Sequence, residues 1–187
     1  ASYMTTKRCG WCSNDPIYID YHDHEWGKPN RDERHLFEML CLEGQQAGLS
    51  WITVLKKREA YREHFFHRPI AEIAELTDQH LEYKLQDAGI IRHIGKLKAI
   101  RDNAIAWQNM QTQGIDMVQW LWGFVDNTTQ VNDVVDYKLA PAQTETSQKL
   151  SKALKKNGFK FVGPTTMYAF MQAVGMVNDH ENDCTSR

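Results

Sequence analysis

The chain has 187 residues, 42% hydrophobic and 25% charged, with a formal net charge of −2 at pH 7. That length is enough for one domain with a sizeable core, and no apolar run approaches the roughly 18 residues a membrane span needs, so no membrane partner is expected. The N-terminal ASYMTTKRCGWC has no apolar signal core, which points to the cytoplasm, with the residues before Met4 an expression remnant; disulfides are then disfavoured.

In chain order, the periodic signal is helical nearly throughout, with no sustained two-residue alternation that would argue for a sheet. Leu36, Phe37, Leu40 and Cys41 fit one helix face. Ser50 can cap a second helix carrying Val54, Leu55 and Arg58, and Thr77 a third carrying Leu81 and Leu85, with Gly89 beyond its end. A fourth is predicted from Lys96 to Met110, stopping before Gly114, and another from Asp116 to Phe124. A lysine-rich helix follows from Thr146 to Asn157, stopped by Gly158, and a last one is opened by Pro164 and closed by Gly175. The fold class is all-α, with roughly seven to nine short helices on this periodicity.

The charge is unevenly spread. Between Lys84 and Arg101, five basic residues stand against Asp87, a local +4, and between Thr146 and Gly163 five lysines stand against no acid, a local +5. The remainder must carry about −11, a split that suits a chain with one polyanion-facing side. A lysine run such as Lys149, Lys152, Lys155, Lys156 and Lys160 is equally the solvated face of a helix.

Four cysteines and eight histidines in a reducing compartment point to thiolate metal chemistry. His180 and Cys184 are spaced to share one metal from a single turn, and Cys9, Cys12 and His22 lie near the other end. Tetrahedral zinc with all four places filled by protein is structural, because no position remains for an activated water. Cys12 and His22 compete for one place. Redox use of CGWC is disfavoured because no strand precedes it.

Gln86 to Ile100, QDAGIIRHIGKLKAI, reads as a helix end, a short apolar turn and a basic helix, a spacing that suits a helix-hairpin-helix. The backbone N–H groups of such a hairpin can hold a DNA phosphate, with Gly89 and Gly95 permitting close approach and Lys96 adding charge. Trp11, Tyr18, Tyr21, Trp26 and Trp51 interleave with His22, Glu25 and Glu43 rather than with aliphatic residues, which suggests a cavity with a polar end. Rings there would stack on a flat or cationic ligand, and a buried carboxylate would balance its charge.

These segments, RCGWC, YIDYHDHEWG, LFEMLCLEGQQAGLSWITVLKKR, QDAGIIRHIGKLKAIRDNA and LSKALKKNGFKFVGPTTMYAFMQAVGMVNDH with the closing Cys184, closely resemble the bacterial DNA-3-methyladenine glycosylase I family, in order from about Arg8 to Cys184. The resemblance implies a helix-hairpin-helix DNA glycosylase-like helical fold. It would form a single domain over residues 8–184, with two lobes flanking a base pocket and flexible ends at 1–7 and 185–187. It implies one structural zinc per chain, held by Cys9, His22, His180 and Cys184 and joining the N- and C-terminal segments, which leaves Cys12 spare. It places Glu43 and Tyr21 in the catalytic role, Tyr18, Trp26 and Trp51 around the base, and Gln46 and Leu49 on a turn that probes the duplex, where Gly44 and Gly48 ease the bend.

The implied activity is base-excision repair by a monomer that recognises alkylated double-stranded DNA. The enzyme flips out 3-methyladenine, hydrolyses its N-glycosidic bond and releases the free base, leaving an abasic site with the strand uncut. No general base is assigned, because the family lacks the superfamily's aspartate where VGPTTMY stands here.

Overall fold

The structure, a computed structural model, describes residues 6–187, so the expectation about the residues before Met4 lies outside the described residues. Ten α-helical segments stand among the described residues: α1 (Pro16–His24), α2 (Glu33–Gln45), α3 (Trp51–Lys56), α4 (Arg58–Tyr61), α5 (Ile70–Ala74), α6 (Asp78–Lys84), α7 (Ile94–Thr112), α8 (Met117–Gly123), α9 (Glu145–Lys156) and α10 (Pro164–Ala173). The number exceeds the seven to nine expected because the helix opened by Ser50 breaks at Lys57 and continues as α4 and a π-turn at Arg62–Phe66.

Capping residues set most of the helix starts. Asp15, Asp32, Thr77 and Asp116 each accept a hydrogen bond from a first-turn N–H of the helix they precede. His93 does the same for α7, which moves its start to Ile94, ahead of the expected Lys96. Ser50 occupies the cap position of α3, but its hydroxyl pairs with Thr53 Oγ1 at 2.8 Å instead of with the backbone. Gln130–Val131 and Val177–Asn178 form a two-residue parallel pair, too short to leave an alternating pattern in the sequence.

The middle of the molecule is α2, buried over Leu36–Gln45 and touched by α3, α7, α8 and α10. A helix burying its whole circumference needs apolar residues off its stripe as well, and Met39 and Leu42 supply them. Trp107 and Trp122 are fully buried against this centre, and their indole N–H groups donate to Glu33 Oε1 at 2.9 Å and to the Asn30 carbonyl at 3.0 Å. One buried apolar cluster runs from Cys9 to Cys184. The ends meet there as well: Lys7 N–H donates to Thr185 Oγ1 at 2.7 Å, and Thr185 N–H to the Lys7 carbonyl at 2.8 Å.

Gly175 closes α10 at φ +77°, and a Cβ there would lie 2.3 Å from the Lys28 and Pro29 backbone. Gly175→Ala combines left-handed strain with a backbone clash that no rotamer relieves. A loss of about 2–4 kcal/mol in chemical denaturation is the expected result, from the sum of those two costs.

Candidate functional site

A cavity of about 290 Å³ opens between α1, the end of α2 and the start of α3, with α10 and the C-terminal segment as its far wall. Tyr18 and Tyr21 stand three residues apart on one face of α1, their rings stacked with centroids 6.5 Å apart. Trp51, the first residue of α3, lies 5.7 Å from Tyr21, and Trp11 packs edge-on to Trp26 at 4.9 Å. Glu43, near the end of α2, faces the same space. The structure thus brings together Tyr18, Tyr21, Trp26, Glu43, Trp51 and Gln46 around one cavity.

The electrostatics are those of an aromatic box with two carboxyl groups on its wall, Glu43 and Asp179. Glu43 is only 5% exposed, and burial pushes its carboxyl up to about 8. Burial first, and then the nearby Glu43, hold the Tyr21 phenol well above its ordinary range. The indole N–H groups of Trp11 and Trp51, both on the cavity wall, are buried without a hydrogen-bond partner. Buried donors left unpaired cost about 1–3 kcal/mol each, so a ligand offering acceptors would recover that energy.

Several wall residues are not singled out by sequence reasoning. Trp11 is visible in the aromatic cluster but carries no assigned role there. Asp179 is the clearest miss, hidden beside His180 in VNDH: it accepts hydrogen bonds from Asn132 Nδ2 at 2.7 Å, Gln172 Nε2 at 2.9 Å and the Tyr168 hydroxyl. These three donors fix the orientation of its carboxyl group on the wall. Tyr137, Ala140 and Pro141 line the cavity from a loop that carries no sequence signal.

Beside the cavity, Cys9, His22 and Cys184 are buried with their ligand atoms within 4.8 Å of one another, a group that could hold a metal ion. Of the two candidates for one place, His22 is in this group, while the half-exposed Cys12 thiol faces the Ser13 carbonyl. The His22 Nδ1 lies 2.8 Å from Asp23, itself held by Arg8, which leaves Nε2 turned to Cys184 Sγ at 3.4 Å. His180 is arranged alike: Nδ1 pairs with Asn178 at 2.7 Å, and Nε2 is buried with no partner, its ring 5.4 Å from that of His22. Two thiols and the Nε2 of His22, a histidine oriented through its other nitrogen, are a donor set suited to a metal ion.

The remaining expected residues lie outside the cavity. Leu49 is 39% exposed on the turn after α2. Gly89 sits in the turn between α6 and α7, where its N–H donates to Asp87 at 2.7 Å, and Gly95 stands in the first turn of α7. Lys96 is not a free surface charge: it is 6% exposed, and its ammonium donates to the carbonyls of Gln45 at 2.9 Å and Ala47 at 2.8 Å. Gln45 returns the contact, its Nε2 donating to the Lys96 carbonyl at 2.9 Å and its Oε1 accepting from Tyr61. The basic stretch from Lys84 to Arg101 is accordingly quieter than its charge suggests. Lys84 lies over the Phe65 ring, and Arg101 is paired with Asp78 and Asp102. On α9, Lys149 pairs with Glu145 at 3.4 Å, whereas Lys152, Lys155 and Lys156 are exposed.

The profile of the methyladenine glycosylase family matches residues 11–187. The DNA-3-methyladenine glycosylase of Haemophilus influenzae is 54% identical over 96% of this chain and 97% of its own. The crystal structure of a 3-methyladenine DNA glycosylase I superposes with a TM-score of 0.94 at 53% identity, covering 96% of this chain and 98% of that one. A point variant of such an enzyme, solved in complex with 3-methyladenine, superposes with a TM-score of 0.92 at 36% identity, covering 96% of both chains. With the fold and almost the whole length matched, this chain belongs to the methyladenine glycosylase family.

Proposed function

We propose that the cavity receives a 3-methyladenine extruded from alkylated duplex DNA and that the chain hydrolyses its N-glycosidic bond, freeing the base and leaving an abasic site with the strand uncut. The observation that carries this reading is Glu43, a buried carboxyl inside an aromatic box. A 3-methylated adenine in DNA is cationic, its glycosidic bond is already weakened, and the base departs neutral. The protein's task is then selection: rings stack on the cation, Glu43 balances its charge, and neutral adenine gains neither. Trp11 and Trp51 N–H groups are donors for the purine's acceptors. Tyr21 sits against both Glu43 and Trp51, where it orients the base.

The test is base release from methylated duplex DNA, with 3-methyladenine and 7-methylguanine followed together. Nearly exclusive release of 3-methyladenine is expected. Binding of DNA with no base released would overturn the enzyme reading in favour of a non-catalytic DNA-binding module.

The metal-suited group is proposed to hold one zinc ion, with His180 as the fourth ligand beside Cys9, His22 and Cys184; bound there, zinc supplies cross-linking of the two chain ends rather than an activated water. Residues 8–184 form one domain whose helical lobes flank the cavity, acting as a monomer in the cytoplasm. The turn between α6 and α7 is read as a helix-hairpin-helix that meets the phosphate backbone through Gly89, Gly95 and the first-turn N–H groups a helix leaves unpaired. Gln46, on the cavity wall, and Leu49 fill the gap left by the extruded nucleotide.

Lys96 serves this face from beneath, tying the hairpin helix to the end of α2. Lys96→Met should lower stability by about 1–3 kcal/mol, the cost of stranding buried carbonyls. It should leave the slope of log affinity against log salt unchanged, because a direct phosphate contact would add about one unit of counterion release. A slope reduced by about one would instead place the ammonium on a phosphate.

A further inference from the structure

Phe161 is the one exposed aromatic residue among the described residues that is held in a left-handed backbone, with φ +56° and 39% of its surface exposed. Its position follows from the residues around it. Phe159 and Val162 are buried at 3% and 1%, so both sides of the segment are anchored in the core. Asn103, inside α7 and 2% exposed, grips the intervening peptide twice: its Oδ1 accepts from Lys160 N–H at 2.8 Å, and its Nδ2 donates to the Lys160 carbonyl at 3.2 Å. Between these anchors the chain turns through the left-handed region at a phenylalanine, where glycine would be unstrained.

Strain and exposure of this kind, over-determined by buried neighbours, persist where the side chain is used. The surroundings say for what. A Cβ placed on Gly44 would stand 3.0 Å from Phe161 Cβ and from its carbonyl oxygen, so the segment presses on α2 one residue beyond Glu43. The Phe161 ring meets the His93 ring edge-on at 6.4 Å, and His93 is the cap of α7 at the hairpin. Phe161 therefore stands between two surfaces read as DNA contacts, the hairpin on one side and the end of α2 leading to Gln46 and Leu49 on the other. It brings no charge and no hydrogen bond to that place. It offers a flat apolar face, which suits a base or a sugar and tolerates any sequence.

We propose that Phe161 is a further DNA-contact residue, stacking on a nucleotide beside the one extruded and holding the distorted backbone open. The inference rests on the reading of this side of the molecule as the DNA face.

The test compares Phe161→Gly, Phe161→Tyr and Leu49→Ala in 3-methyladenine release from duplex DNA, alongside the affinity for free 3-methyladenine from tryptophan fluorescence and thermal melting. Phe161→Gly removes the backbone strain along with the ring, which offsets part of the lost packing, so it should stay folded in thermal melting and bind the free base as the parent does. Its KM for duplex should rise about tenfold, within the range that removing one base–aromatic stack produces. Phe161→Tyr should restore the parent KM. If Leu49→Ala raises KM and Phe161→Gly leaves it unchanged, Phe161 is no contact and the proposal fails while the DNA face stands. If neither changes KM, the DNA-face reading fails and takes this proposal with it. A parallel loss of free-base affinity in Phe161→Gly would overturn the proposal by assigning Phe161 to support of the pocket.

Discussion

Above pH 8, Glu43→Gln should reduce kcat/KM for 3-methyladenine release by about 10- to 100-fold, and at neutral pH, where the loss is smaller, the variant should be more stable than the parent. The activity loss follows from charge. A buried carboxylate facing a cationic base contributes a charge-assisted contact of about 1.5–3 kcal/mol that a neutral amide of the same shape does not. The pH dependence follows from burial. With its carboxyl raised by burial to about 8, Glu43 is mostly protonated at pH 7, and the form that attracts a cation gains population as pH rises. The kcat/KM of the parent enzyme should therefore climb through about pH 8, since that parameter reports the free enzyme, and the Glu43→Gln variant should be flat there. Stability runs the other way. A carboxyl with a native pKa above its unfolded value of 4.5 keeps its proton in the fold, so stability is fullest below 4.5 and declines as pH rises towards 8. At pH 7 that cost is about 3 kcal/mol, from 1.36 kcal/mol per unit. The neutral amide of the Glu43→Gln variant carries no such cost. A parent profile flat from pH 6 to 9, together with an active variant, would remove Glu43 from the mechanism.

How far this was readable from the chain depends on the length of each signal. Helices with a cap and a stop, such as those opened by Thr77 and Pro164, were placed to within a residue or two, because capping chemistry is local. The box residues were legible as an excess of aromatics around Glu43, an acid where a core helix should have none. What the sequence could not show was direction. Lys96 reads as a cation for phosphate, yet its ammonium lies inward on two carbonyls, and nothing in GKLKAI distinguishes the two. Asp179 depends on three donors from separate segments, and Phe161 on Asn103 gripping its neighbour from 57 positions away in sequence. Such contacts exist only once the helices are packed.

If the Cys9, His22, His180 and Cys184 group holds the zinc ion proposed for it, chelation should lower the melting temperature by about 10 °C or more, with activity lost in step with folding rather than ahead of it. The group joins residues from opposite ends of the chain, and without an ion the fold must bury two thiols and the unpaired Nε2 of His180. Burial raises the Cys9 thiol far above its usual range and holds His180 down at about 4, so neither gains a compensating charge at neutral pH. The same residues hold the base cavity: His22 follows Tyr21 on α1, and the His180 ring packs edge-on against Trp26 at 4.8 Å. Loosening the group frees α1, and with it Tyr18, Tyr21 and Trp26, so the affinity for free 3-methyladenine should fall along the same chelation curve as the near-ultraviolet dichroism. Cys184→Ser and His180→Ala should each reproduce the effect, because a three-ligand site leaves the C-terminal segment half tied. One zinc ion released per chain, with fluorescence, activity and dichroism superimposed, is the outcome that makes the ion a structural staple. If chelation abolished activity while dichroism and base affinity held, the metal would belong to the chemistry instead, and a Glu43-centred mechanism would be incomplete.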